Sequence, residues 1–501
     1  MRMKQKLKSA LTIAYEQLGQ TWFFVASLMV FCLHAAWLAL SSNLLPYDEY
    51  YHIGIIKFYA LQWSPFISHQ PPEVSYLGDL TRLPSYMYHY LMSFPYRFFH
   101  LFTQNETVLT ILLRFMNIVL VIGGVILFRR LFMRGGLSKR LVNSVCTFFL
   151  FTPFVVMLAA ENNYDNLMFF MTPVVMWYAY KLIDGKKFVA SDVFLFLSTG
   201  MFTSLVKHSF IVIFGAMCTY IFFEQMKVYK NTPVFKMKFV FDNASIIRVV
   251  PICLAVLVTS FLFMERFGIN LLRYRKVDVG CSTVQTEEVC KNYSPWLRNS
   301  MARKNPSDKR LYGNPASFTQ HWSATMMAGL YPVFAQIPHE PGSRIDPYGD
   351  YTFMPRLTVL LTMAYLFLTA GIVSFVLQYR RVRNKELLKF MVTISAVLVS
   401  VLFFFNYKTY LSLTRAYGVQ VRYLYPMMLP MVLIFAFSIN HAVKQVWVKK
   451  GAVLALLCIY IWCGGIVGWI IRSETNWYWP NQTVITVNQR AQKVLQRIVP
   501  N

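Results

Sequence analysis

Tyr47, Asp48, Glu49, Tyr50, Tyr51 and His52 place two carboxylates and an imidazole just beyond an apolar run over residues 21–41. A carboxylate there can take a proton from an incoming hydroxyl if burial lifts its pKa toward a working value. A second acidic group, Glu161, Asn162, Asn163, Tyr164, Asp165 and Asn166, follows another apolar run in a hairpin too short to hold a domain. Brought to one depth, the two loops could share a divalent cation, with Asp48, Asp165 and either His52 or Glu161 as ligands. The structural alternatives are acids that suit a helix dipole at Asp48 and Glu49 and a capping Asp at 165. Lys207 and His208 in a third short hairpin, and Arg422 before a further apolar run, carry the positive charge that a departing anion needs. Each alone would also serve as an anchor for lipid headgroups. Arg114 falls inside an apolar run, so it must face other helices and meet an acid, with Glu161 and Asp165 as the candidates.

The elements that hold these residues are membrane helices. Of 501 residues, 56% are hydrophobic and only 14% charged, and the apolar residues fall in runs of about twenty, enough to cross about 30 Å of hydrocarbon as helix. The expected spans are 21–41, 108–128, 141–160, 166–183, 193–205, 210–223, 247–265, 353–378, 390–406, 423–441 and 452–471. That gives an all-α polytopic protein of about eleven transmembrane helices. The net charge of +27 gathers beside the runs rather than in a nucleic-acid patch. Basic residues in the leader (Arg2, Lys4, Lys6, Lys8), at 129–140, at Lys186 and Lys187, at 227–248, at 380–389 and at 444–450 put the amino terminus in the cytoplasm and the carboxyl terminus outside. Residues 1–265 form an amino-terminal transmembrane module carrying the reactive outer loops, 266–352 an outer loop region, 353–471 the carboxyl-terminal transmembrane helices and 472–501 an outer tail. The aromatic-rich part of the first outer loop, 85–102, suits helices lying at headgroup level. Six cysteines lie in apolar runs and act as small hydrophobes. Cys281 and Cys290, in a polar outer segment, could form a disulfide.

Acids and cations therefore collect at one membrane edge, the depth at which a lipid-linked donor holds its phosphate. The first-loop Asp48, Glu49 and His52, the loop from Glu161 to Asp165, the hairpin Leu205, Val206, Lys207, His208, and Arg422, Tyr423 with Pro426 and Pro430 resemble the GT-C superfamily of membrane glycosyltransferases. This group includes the protein O-mannosyltransferases and the enzymes that add aminoarabinose to lipid A. The likeness in architecture covers about residues 1–471, while the motifs occupy short patches. It implies a GT-C-like bundle, a polyprenyl- or dolichyl-phosphate sugar donor, inverting transfer, and a first-loop Asp as base or metal ligand. On this chain that role falls to Asp48, supported by Glu49 and Asp165, with Lys207, His208 and Arg422 on the donor phosphate and Asp48, His52 and Asp165 around a divalent cation, if one is used.

The expected partners are the lipid-linked donor, membrane lipids and a glycan, lipid or protein acceptor, in a bacterial plasma membrane or a eukaryotic ER membrane. The outer region 266–352 matches nothing in that pattern, and its basic residues Arg298, Arg303, Lys304, Lys309 and Arg310 suit an anionic acceptor or lipid surface. The rival readings are a transporter or flippase of lipid-linked sugars, which would carry ionisable groups near the midplane, and a polymerase of lipid-linked glycans.

Overall fold

In the computed structural model, residues 2–43, 45, 48–185, 189–228, 246–304, 314–331, 355–414, 417–463, 469–471 and 473–498 are described. Tyr47, Lys186, Lys187, Lys309 and Arg310, and with them much of the expected outer region up to 354, lie outside these residues. Among the described residues there is no strand, only an isolated bridge between Ser42 and Tyr478. The protein is an all-α, multi-pass membrane chain.

The amino-terminal part runs α1 (Arg2–Gln17), α2 (Thr21–Ser41), α3 (Glu49–Ala60), α4 (Met87–His100), α5 (Glu106–Arg134), α6 (Lys139–Leu150), α7 (Pro153–Ala159), α8 (Tyr164–Asp184), α9 (Ala190–Val206), α10 (Phe210–Val228) and α11 (Ile246–Phe263). Helices lie over all eleven segments expected to span, but the figure of eleven is not reached. Six described helices are long and apolar enough to cross a membrane, and a seventh only if α6 and α7 count as one. Ala190–Val206 and Leu361–Leu377 are apolar but shorter.

The expected span 141–160 is instead bent by 68° between α6 and α7. Pro153 opens α7. It has no N–H to continue the α6 ladder, and its ring would collide with the preceding turn. The freed Phe154 N–H donates outside the helix, to the Leu330 carbonyl at 3.1 Å. The break delivers the loop from Glu161 to Asn163, and Asn163 then starts α8 by accepting from the Asp165 N–H at 3.0 Å.

The segment between α2 and α5 contains two helices, α3 and α4, as the aromatic content of its second half leads one to expect for α4. Trp63, Phe94, Phe98, Leu101 and Phe102 leave them with bare apolar surface, which suits the headgroup boundary. Arg266, buried in a π-helical turn after α11, ties the loop down by donating to the Thr81 carbonyl, with its guanidinium 4.8 Å from the Tyr86 ring. Arg82 closes the same joint on Glu265 at 2.8 Å.

Beyond α11, short helices Cys281–Val284, Glu287–Cys290, Ser294–Lys304 and Pro315–Ala328 form the described outer segment. Cys281 and Cys290 are bridged. The helices Pro355–Leu377, Glu386–Leu413, Tyr425–Ala442 and Val446–Cys463 complete the bundle, and Gln482–Ile498 closes the chain.

Under the outer edge the bundle is held by aromatic stacking. Phe169 of α8 lies between Phe149 of α6, at 5.1 Å, and Tyr425, at 4.6 Å between ring centroids. In hydrocarbon, helix association depends on close packing and small residues at crossings. Gly124 of α5 supplies one, since a Cβ there would sit 2.7 Å from the Phe169 ring and 3.2 Å from the Phe170 backbone. Gly124→Val should therefore lower stability by about 1–3 kcal/mol through overpacking, and unfolding of the detergent-solubilised variant at the wild-type temperature would refute this packing account.

Candidate functional site

The site is built on a buried ion pair. Glu49, the first residue of α3, points inward and is 1% exposed, and Arg114 of α5 meets it at 0% exposure. The guanidinium donates to both carboxylate oxygens, with Nε at 2.8 Å from Oε1. Its remaining hydrogens go to the carbonyls of Ala39 at 3.0 Å, Ser42 and Asn43. The Asn162 backbone and side-chain nitrogens both donate to Glu49 Oε1 at 3.0 Å.

Arg114 thus meets an acid as expected, but its partner is Glu49 and not Glu161 or Asp165. Tyr88, Asn117 and Asn166 continue the network behind it, through bonds of 3.1 Å and 3.2 Å to the Asn117 carbonyl oxygen.

Asp48, one residue earlier, points the other way. It takes left-handed backbone angles (φ 69°, ψ 18°), which Asp tolerates better than most residues. Its carbonyl accepts from the Tyr51 N–H at 2.9 Å and the His52 N–H at 3.2 Å to start α3. Its side chain is 50% exposed and lies 2.6 Å from Arg422, which is itself buried. A turn that locks Glu49 inside presents Asp48 outside.

Asp165 is fully enclosed and takes Lys207 at 2.6 Å. The Lys207 ammonium lies between two rings, 4.6 Å from Tyr164 and 4.8 Å from Tyr423. Burial lowers its pKa from 10.5 to about 8, with Asp165 opposing the shift and the Arg422 charge contributing to it. The two acid loops and the two cation-bearing segments therefore do meet. Asp48, Asp165, Lys207 and Arg422 form two ion pairs that feel each other's charge. His208 does not join them. It turns to Ser85, which lies at 3.0 Å, and toward Asp278 at 3.8 Å.

Glu161 and His52 fill the interior side of this cluster as neutral groups. Burial, reinforced by the Glu49 charge, pushes the Glu161 carboxyl well above the usual range. It accepts from Asn163 at 3.3 Å through Oε1, and Oε2 has no hydrogen-bond partner. Burial, with His89 and the Arg422 and Lys207 charges, holds His52 well below the ordinary imidazole value. His52 Nδ1 and His89 Nε2 share a hydrogen bond of 2.8 Å, and the Tyr164 ring stands edge-on at 4.5 Å.

His89 is a residue that the sequence reading did not single out as part of the site. The signal was an imidazole one turn into an aromatic interfacial helix, with nothing in its own spacing to point at His52.

The donor set does not suit a metal ion. Asp48 and Asp165 each already face a cation, and burial pushes the Glu161 carboxyl away from the ionised form that a metal would need. Among the described residues no three His, Cys, Asp or Glu side chains come close enough to share an ion. The expected grouping of Asp48, His52 and Asp165 is thus replaced by protein ammonium and guanidinium groups.

No protein-family model matches the chain, and no curated protein matches it in sequence. Arg114→Met would strand the Glu49 charge in the dry interior and should cost about 3–5 kcal/mol. Thermal unfolding in nanodiscs would register this as a lowered midpoint, partly restored by adding Glu49→Gln, and a midpoint equal to wild type would remove the pair's structural role.

Proposed function

We propose that this chain is a glycosyltransferase that moves a sugar from a polyprenyl- or dolichyl-phosphate carrier to an acceptor hydroxyl at the outer membrane face. The observation that carries this reading is the half-exposed Asp48 beside the buried cations Arg422 and Lys207, at the rim of the bundle where a lipid phosphate would sit. In the reaction, the acceptor oxygen forms a bond to the anomeric carbon as its proton passes to Asp48. The bond from that carbon to the phosphate oxygen breaks, and the electron pair leaves with the phosphate.

Arg422 has two tasks in this scheme. It orients Asp48 through their 2.6 Å ion pair, and it presents positive charge where the leaving phosphate needs it. Lys207 adds a second cation, insulated from water by Tyr164 and Tyr423, so its field acts at low dielectric. Glu49 anchors the loop through Arg114, and Asp165 holds Lys207. His208 stands at the edge of the site, toward Asp278.

The outer-face assignment is supported by the bridged Cys281–Cys290 segment, because disulfides persist in oxidising compartments. That segment reaches the site through Tyr293, which lies 5.8 Å from the Tyr51 ring. The membrane is the plasma membrane if the source is bacterial and the ER membrane if it is eukaryotic.

The test is purified protein in nanodiscs with a polyprenyl-phosphate sugar, scored by release of free polyprenyl phosphate. Asp48→Asn should remain folded and lose turnover by about a hundredfold or more. Undiminished release by that variant would end the base assignment, and sugar carried across a vesicle membrane without any release would favour a transporter.

The pH profile gives a separate check. An ammonium with its pKa near 8 is charged below that value and neutral above it, so turnover should decline as the pH rises through about 8. Lys207→Arg should move this decline upward, and an unchanged alkaline limb would mean that the Lys207 charge does not act on the phosphate.

A further inference from the structure

Four tyrosines cluster beside the start of α3, where Asp48 caps the helix, and the scheme above uses none of them. Tyr50 and Tyr51 follow it on α3, with their rings 5.7 Å apart. Tyr76, from a short 3-10 turn Pro72–Leu77, lies 5.7 Å from Tyr50. Tyr293, just past the disulfide, lies edge-on to Tyr51 at 5.8 Å.

The four come from three chain segments and are fixed from behind. Tyr51 Oη and Ser294 Oγ are 2.6 Å apart. The Tyr293 ring lies flat on Gly78, where φ is +83° and a Cβ would come within 3.2 Å of the ring. Asn292 donates to Ser75 Oγ at 2.8 Å. Tyr50 remains 59% exposed. Tyr50 and Tyr51 follow Asp48 by two and three residues in the first turn of α3, so the patch and the proposed base share one helix start.

The chemistry of the patch restricts its occupant. A lipid tail gains nothing from four phenol hydroxyls, and there is no strand edge among the described residues for a peptide to extend. A pyranose ring presents C–H bonds on its faces and hydroxyls around its rim. Aromatic faces carry partial negative charge that attracts such C–H bonds, and tyrosine hydroxyls can both give and accept at the rim. A site for such a ligand is a rigid apolar surface with a few fixed polar groups.

We propose that Tyr50, Tyr51, Tyr76 and Tyr293 form the acceptor subsite and that the acceptor is a carbohydrate, a neutral sugar ring stacked on this patch with one hydroxyl directed at Asp48. The assignment rests on the transferase reading for its role, but sugar binding can be measured without turnover.

The experiment is saturation-transfer NMR on the full chain in nanodiscs, with lactose, maltotriose and chitotriose as probes. At least one probe should receive magnetisation through its ring C–H protons. Tyr50→Ala and Tyr76→Ala should each weaken that binding at least tenfold, while Tyr50→Trp, which keeps a stacking face, should retain it. The Cys281–Cys290 bridge and the wild-type unfolding midpoint serve as controls for folding.

Binding to none of the probes, or equal binding to wild type and both alanine variants, overturns the subsite. Release of polyprenyl phosphate with a peptide or lipid acceptor, unaffected by Tyr50→Ala, overturns it while leaving the transferase reading intact. Tyrosine-dependent sugar binding without any release of polyprenyl phosphate would uphold the subsite and defeat the transferase reading.

Discussion

The edge of the bundle that carries Asp48 depends on one buried ion pair. Placing the Arg114 guanidinium inside a helix bundle is costly unless each of its hydrogens finds an acceptor. Here the acceptors are Glu49 and three carbonyls at the end of α2. One side chain thereby fixes where α2 stops, where α3 starts and how far α3 lies from α5. The left-handed turn at Asp48 follows from this constraint, because the chain must reverse sharply to send Glu49 inward. A residue that tolerates that conformation and also carries a carboxylate then stands at the surface.

The same pair orders the second loop. Asn162 turns its backbone and side-chain nitrogens to Glu49, which sets the path of the chain into α8 and so the position of Asp165. From Asp165 the order passes to Lys207. Burial and the nearby Glu49 charge both push the Glu161 carboxyl toward its protonated form. The fixed charges in this layer therefore alternate in sign, each acid against a cation, which is the only arrangement that a poorly solvated edge tolerates at modest cost.

Much of this was readable from residue types and positions. Runs of apolar residues located the helices, short hairpins bounded by charge located Asp165 and Lys207, and polar surroundings left a Cys281–Cys290 bridge open, which the structure forms. What could not be read was pairing. The spacing of Arg114 shows that it needs an acid but carries no information on which one, and Glu49 lies 65 positions away. The bend at Pro153 was hidden because residues 141–160 are predominantly apolar, and hydropathy is blind to a missing N–H. The number of spans is likewise not set by composition, since α8 carries polar residues and α9 is short, and six described helices are long and apolar enough to cross. His89 and Tyr293 escaped notice because their roles exist only across the fold.

Asp48 has a cationic side and an aromatic side, and the difference matters for chemistry. Toward the bundle it meets Arg422, and beyond that Lys207 under its two rings, a region that attracts anions. Along α3 it is followed by Tyr50 and Tyr51, whose rings join Tyr293 in an uncharged patch that suits a neutral ligand with apolar faces. A base that takes a proton from one substrate while the other releases an anion suits this division, since a cation is then needed on one side only. One flanked by neutral rings on both sides would have nothing to stabilise a departing phosphate. The opposed facing of Asp48 and Glu49, set by the Arg114 pair, gives a single carboxylate access to both environments.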